Sequence, residues 1–213
     1  MKRIFILSIF CLISGVAFSQ VKIGLRFSPS YNINRVSSLS DTLILSPQQA
    51  TFKMVLGVVT EIAFTDTYSF TTGLAFAPKS VGINFAGENG GSYANAAEEY
   101  KIQYLQIPAL LKLYTDDYLP GSRIYFHVGA MIDVKIFDSP ENNDYIFVEK
   151  FLPVDASAVL GVGTEVELGI STIVFGGLSY NRGLTNMASK TIALDAKPIV
   201  KSDYFQLELG LKF

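Results

Sequence analysis

Over residues 123–137 the chain alternates between two kinds of side chain. Ile124, Phe126, Val128, Ala130, Ile132, Val134 and Ile136 take the even positions, while Arg123, Tyr125, His127, Gly129, Met131, Asp133 and Lys135 take the odd ones. Side chains of an extended strand point alternately to opposite faces, so this order makes a ribbon with one apolar and one polar or small face. A one-residue slip would exchange the two faces wholesale, and the pairing register is therefore strongly specified.

The same scheme opens and closes the rest of the chain. Val21, Ile23, Leu25 and Phe27 alternate with Lys22, Gly24, Arg26 and Ser28, and Phe205, Leu207, Leu209, Leu211 and Phe213 alternate with Tyr204, Gln206, Glu208, Gly210 and Lys212. Further strands are predicted over residues 53–64, 69–78, 102–114, 154–168 and 172–181, eight in all. Most are ten or more residues long, about the length a tilted strand needs to cross a bilayer.

Connection lengths alternate too. Residues 32–52, 79–101, 138–153 and 182–203 are long connections, whereas residues 65–68, 115–122 and 169–171 are short. All long connections then leave from one end, and both chain ends lie at the other. This is the layout of an eight-stranded antiparallel up-and-down transmembrane β-barrel, with periplasmic short turns and termini and extracellular long loops.

Two stretches break the pattern. In residues 102–114, Ile102 and Tyr104 lie on even positions while Leu105, Ile107, Ala109, Leu111 and Leu113 lie on odd ones, with Pro108 between. A closed barrel has no edge strand to tolerate a missing donor, so a bulge is expected near residues 104–108. Residues 172–177 are apolar or small on both faces, which leaves the register of that strand open.

The chain starts as an exported one. Lys2 and Arg3 precede a mostly apolar run over residues 4–18, and Ala17, Phe18 and Ser19 resemble a cleavage site, so residues 1–19 are expected to be a signal peptide and residues 20–213 the barrel domain. Cys11 follows Phe10 inside the apolar run, the wrong place for a lipoprotein cysteine. Removing the leader takes away the only cysteine and leaves 15 basic against 19 acidic residues. There is no basic excess to neutralise a nucleic-acid backbone, and no thiolate for a disulfide or metal site.

The polar face collects Arg26, Glu61, Lys112, Arg123, Asp133, Lys135, Glu165, Glu167, Glu208 and Lys212, interleaved with glycines. The interior of eight strands is just wide enough for their own side chains, so a structural lumen network of paired charges is expected. A narrow polar conduit lined by Glu61, Glu165, Glu167 and Glu208 facing Arg26, Arg123 and Lys135 is the transport alternative. His127, the single histidine, would meet Asp133 or Glu167 if it did acid–base chemistry on a lipid, but a hydrogen-bonded filler is the plainer reading. No serine sits in a nucleophile-elbow context. Residues 138–144 gather oxygen ligands without calcium-loop spacing and read as a solvated turn, and the glycine-rich residues 87–91 read as a loop tip. No cofactor is expected.

Tyr104, Leu105, Gln106, Ile107, Pro108, Ala109, Leu110, Leu111 and Lys112 resemble the Tyr-Leu-Glu-Ile-Pro-Leu-Leu-Leu-Lys type strand of the PorT-like outer-membrane β-barrel family, with Gln106 in place of the acid. Gly183, Leu184, Thr185 and Asn186, and the terminal strand ending at Phe213, extend the likeness. The resemblance implies an eight-stranded outer-membrane barrel, and with no catalytic constellation among its residues the protein is expected to be non-catalytic. Its expected roles are envelope-structural, surface-binding or secretion-associated, with outer-membrane lipid and an extracellular or secretion-pathway protein as partners. The last strand also resembles the signal read by the barrel-assembly machinery, with Gln206 as the polar residue and Leu211 and Phe213 as the hydrophobic pair. A secreted, lipocalin-like ligand carrier shares the alternation with its faces reversed, apolar inside and charged outside.

Overall fold

The computed structural model describes residues 21–37, 43–47, 50–87, 96–140, 148–191 and 199–213. The expected leader, the tip at residues 88–91 and most of the oxygen-rich turn, residues 141–144, lie outside them. Eight long strands form the wall: β1 (Val21–Ser37), β3 (Thr51–Ala63), β4 (Tyr68–Gly87), β5 (Ala96–Tyr114), β6 (Ser122–Pro140), β8 (Val154–Leu168), β9 (Thr172–Gly183) and β11 (Ile199–Lys212). Each pairs antiparallel with its chain neighbour in the wall. The wall closes where β1 pairs with β11 from Gly24↔Lys212 to Ser37↔Ile199. Ile23 and Phe213 exchange backbone hydrogen bonds of 3.1 and 2.9 Å, so the seam holds to the last residue.

The faces sort as the alternation demands. Ile124, Phe126, Ile132 and Leu209 are 36%, 51%, 46% and 41% exposed, while Arg26 is 7% exposed. Apolar residues outside and charge inside exclude the lipocalin-like arrangement. β9 resolves to one register, with Ile173, Phe175 and Ser179 buried and Leu178 exposed.

The short connections join β3 to β4, β5 to β6 and β8 to β9 at one end. At the other end the structure corrects the sequence reading. Much of what was expected to be long loop is strand: β4 runs for 20 residues and β5 and β6 for 19 each, well beyond the ~9–11 needed to cross a bilayer. Three short strands also sit there: β2 (Leu43–Pro47) pairs with β4, and β7 (Val148–Phe151) with β10 (Ala188–Thr191). Val81, Ile83, Tyr100, Ile102, Tyr104, Val148, Phe151, Met187 and Val200 pack into one buried apolar cluster at this end. In these extensions the chain reverts to the rule of soluble proteins, apolar inside, and the alternation of apolar-outside with polar-inside disappears.

That reversal explains the apparent slip in β5. Its even residues face inward without a switch from Ile102 to Tyr114, so β5 itself holds no bulge. The irregularity lies on its partner: Gln103 pairs with Phe137 and Tyr104 with Lys135, leaving Ile136 of β6 as the extra residue. Pro108 is accommodated differently. Its pairing with Met131 of β6 is intact, whereas the β4 ladder stops at Thr71↔Leu110 and resumes at Ala75↔Gln106. Carried through the gap, this register sets Pro108, which has no N–H, opposite Gly73.

Gly73 has φ +156°, and a Cβ there would lie 2.1 Å from the Val58 carbonyl oxygen. Gly73→Ala should therefore destabilise the barrel by roughly 1–3 kcal/mol, read as a lower urea midpoint in lipid vesicles. The neighbouring Thr72→Ala should change little, and equal midpoints for the two variants would contradict this account of the gap.

Candidate functional site: the charged lumen

The lumen is filled in layers. Nearest the short turns, Lys112 Nζ donates to Glu61 Oε2 and Glu165 Oε1, both at 2.9 Å, and Lys212 Nζ donates to the same two oxygens at 2.8 and 2.7 Å. The Tyr114 hydroxyl lies 2.6 Å from Glu61 Oε1 and 2.9 Å from Glu165 Oε1. These groups come from β3, β5, β8 and β11, so the cluster ties four strands together across the interior. The four buried ions, two ammonium groups and two carboxylates, balance one another, the condition under which buried ions are tolerated. The Lys112 ammonium also sits 4.2 Å from the Tyr125 ring centroid, and Arg123 caps the layer 4.0 Å over the Tyr114 ring and 3.9 Å from Glu165 Oε2.

Midway, His127 stacks on Tyr125 with centroids 5.8 Å apart, and its Nε2 is 3.9 Å from Glu208, which accepts from Ser179 at 2.9 Å. Glycine makes this layer possible. Tyr125 faces Gly163 and His127 faces Gly161 across β6 and β8, and a Cβ at either glycine would lie within 2.3 Å of the facing ring. Leu110, Met131 and Val159 form a small apolar cluster that completes the filling.

The third layer holds Lys79. Its Nζ donates to Asp133 at 2.7 Å and lies 3.4 Å from Asp155, with the rings of Tyr104 and Tyr204 centred 5.0 and 4.9 Å away. Gln106 Nε2 donates to the Tyr204 hydroxyl at 3.0 Å, and the Thr185 hydroxyl donates to Asp155. Above it lies the apolar cluster of the extended strands.

A family-wide sequence profile described as the outer membrane protein beta-barrel domain matches residues 14–189. The chain belongs to that family. Among solved structures, the family barrel is similar to the outer membrane protein OprG from Pseudomonas aeruginosa, at 13% identity and TM-score 0.58, covering 91% of this chain and 96% of that one. It is also similar to AlkL in lipid bilayers, at 15% identity and TM-score 0.50, covering 93% and 92%. A search of curated protein sequences returned no match. Identities this low establish a shared fold alone; it is the family membership that makes the protein an outer-membrane β-barrel, which would sit in the lipid bilayer.

The family barrel places the residues singled out from sequence unevenly. Glu61 and Glu165 share one cluster, Asp133 anchors another, and His127 meets Glu208 instead of Asp133 or Glu167. Arg26 is buried on the same inner surface. Glu167 continues the inward row of β8 but is exposed, because that row has passed the barrel mouth. Lys135 stands apart, donating to Asp138 and to the Phe151 carbonyl, both at 2.9 Å. Gln206 faces inward, while Leu211 and Phe213 face outward. Sequence reasoning missed Lys79, assigned to a loop, and Asp155, which lies directly across from Asp133 on β8 and could have been found from that pairing. Among the described residues, no three His, Cys, Asp or Glu side chains converge as a metal site.

Removing one ion of the balanced cluster leaves its partner charges buried. Lys112→Met should cost about 3–5 kcal/mol in equilibrium unfolding from detergent micelles. Lys112→Met combined with Glu165→Gln restores neutrality and should recover a large part of that loss. Additive effects of the two substitutions would contradict the coupling.

Proposed function

We propose that this outer-membrane barrel is a closed, non-catalytic scaffold that neither conducts nor transports, and that its task is performed by the strand extensions and connections opposite the short turns, exposed outside the cell. The observation that carries this reading is the layered filling of the lumen, in which side chains of facing strands bond to one another directly across the interior. An open conduit would leave these ions hydrated and facing a gap.

The orientation follows the general rule that short turns are periplasmic. Residues 1–19 would be removed on export, and Gln206, Leu211 and Phe213 would present the terminal strand to the barrel-assembly machinery. Within the family we place the chain with the PorT-like members. In this structure Gln106, at the position of their usual acid, hydrogen-bonds Tyr204. An extracellular or secretion-pathway protein is the partner class this reading calls for, since the extended end is where β4, β5 and β6 project beyond the bilayer.

Two measurements test it. Refolded protein in planar bilayers should show no reproducible channel steps, and steps that persist across preparations would transfer the protein to the narrow-pore reading. Cys11 is the only cysteine in the sequence and would leave with residues 1–19, so single cysteines would report sidedness cleanly. Leu184→Cys at the extended end should react with an impermeant maleimide in intact cells, and Asp117→Cys in a short turn only after lysis. The opposite pattern would invert the proposed orientation.

A further inference from the structure

Three cations crowd the outer surface at the extended end of β1, β9 and β11. Arg35 and Lys201 are direct cross-strand partners. Arg182 and Arg35 both lie within electrostatic reach of Tyr180. A single described carboxylate stands among them, and its hydrogen-bonding capacity is already used. Asp203 accepts from Arg35 at 2.6 and 2.9 Å, from the Gly183 N–H at 2.9 Å and from the Tyr180 hydroxyl at 3.1 Å. Among the described residues, Arg182 and Lys201 have no ion-pair partner, so the patch carries an excess of two positive charges. The Asp203 contacts, with a further bond from Arg35 to the Gly183 carbonyl at 3.0 Å, fix the Arg35 guanidinium in place.

The surface below this patch is what lipid would meet. Tyr31 packs tilted against Phe52 at 4.8 Å and Tyr180 against Phe205 at 4.9 Å, an aromatic belt of the kind found at a membrane interface. Further down the same wall, Leu25, Phe27, Leu56, Val58, Leu209 and Leu211 line a groove of about 730 Å³. From Phe27 to Arg35 is roughly 26 Å along the strand, or ~20 Å along the membrane normal at the usual tilt. That is about the depth of one leaflet with its headgroups.

We propose that this wall is a binding site for a phosphate-bearing membrane lipid, with its headgroup phosphate held by Arg35, Arg182 and Lys201 and an acyl chain lying in the groove beneath. The Arg182 guanidinium can match phosphate oxygens in paired hydrogen bonds, Arg35, whose Nε and Nη2 are engaged by Asp203 and the Gly183 carbonyl, offers its remaining Nη1, and Lys201 adds a point charge. The proposal rests on the orientation given above only for the leaflet that supplies the lipid, the outer one.

Binding of diphosphoryl lipid A, and of the same lipid with its phosphates removed, to the refolded full barrel in neutral detergent micelles tests this directly. The phosphorylated lipid should bind at least roughly tenfold tighter. Arg182→Gln combined with Lys201→Gln leaves the Arg35–Asp203 pair intact and should erase most of that preference, and adding Arg35→Gln should erase the rest. Lys101→Gln, on the opposite wall, should leave it unchanged. Equal affinity for the two lipids, an equal loss in the Lys101 variant, or displacement by millimolar inorganic phosphate would overturn the proposal, the last by showing a free-anion site. The micelle measurement is blind to sidedness, so it and the cysteine-labelling test fail independently.

Discussion

The structure depends on the satisfaction of backbone hydrogen bonds in a solvent that offers none. An unpaired peptide group in hydrocarbon costs several kcal/mol, so strands can cross a bilayer only when the sheet has no edge. The β1–β11 seam meets this requirement on both sides of a break at Ser28 and Pro29, the latter having no N–H to offer, and its pairing persists to Phe213. The one interruption in the described part of the β4–β5 ladder is set where a proline has no donor to offer and the facing residue is glycine. Once the wall is closed, its outward row must be apolar, and the inward row inherits whatever can be packed into a bore about one side chain deep.

That bore explains why the interior is polar and yet tightly filled. Facing strands are close enough for lysine and glutamate to bridge them, and a large side chain on one strand needs a small one across from it. Tyr125 with Gly163 and His127 with Gly161 are two such pairs. A greasy filling would satisfy packing equally well, but it would remove the contrast between faces that fixes register. With ions inside, any one-residue slip would carry them into lipid, at about 2–4 kcal/mol for a lysine or arginine at the midplane and less for Lys112 and Lys212 nearer the short turns. The ions thus specify which pairing forms, whatever their net contribution to stability.

This division also determines how much could be read from the sequence. Where strands touch lipid, alternation showed their existence and their inner and outer rows. It failed where β4, β5 and β6 leave the bilayer, because there Ile102, Tyr104, Val81 and Ile83 turn inward as in a soluble core and period-two contrast is lost. Lys79 went unnoticed for that reason. Its role requires β4 to continue past Pro78, which no local pattern signals. The outward charge of Asp203, Arg35 and Arg182 was likewise hidden inside stretches that read as loop.

The two buried ion clusters differ in a way that assigns them different duties. The lower cluster is balanced, two ammonium groups with two carboxylates, and is wired through four strands. The upper one sets a single ammonium, flanked by the faces of Tyr104 and Tyr204, against Asp133 and Asp155, and Asp155 is otherwise held by neutral donors, the Thr185 hydroxyl and the Ala156 N–H. Aromatic faces attract the cation and add nothing toward neutralising the second acid. Lys79 lies three residues past the last pairing of β4 with β3, Leu56↔Phe76, where β4 continues with β5 alone as its wall partner. The lower cluster therefore sits where the barrel is fully laddered, and the upper one where the wall gives way to the extended strands. The end that carries the distinctive surface is held to the rigid body by the less compensated set of ions.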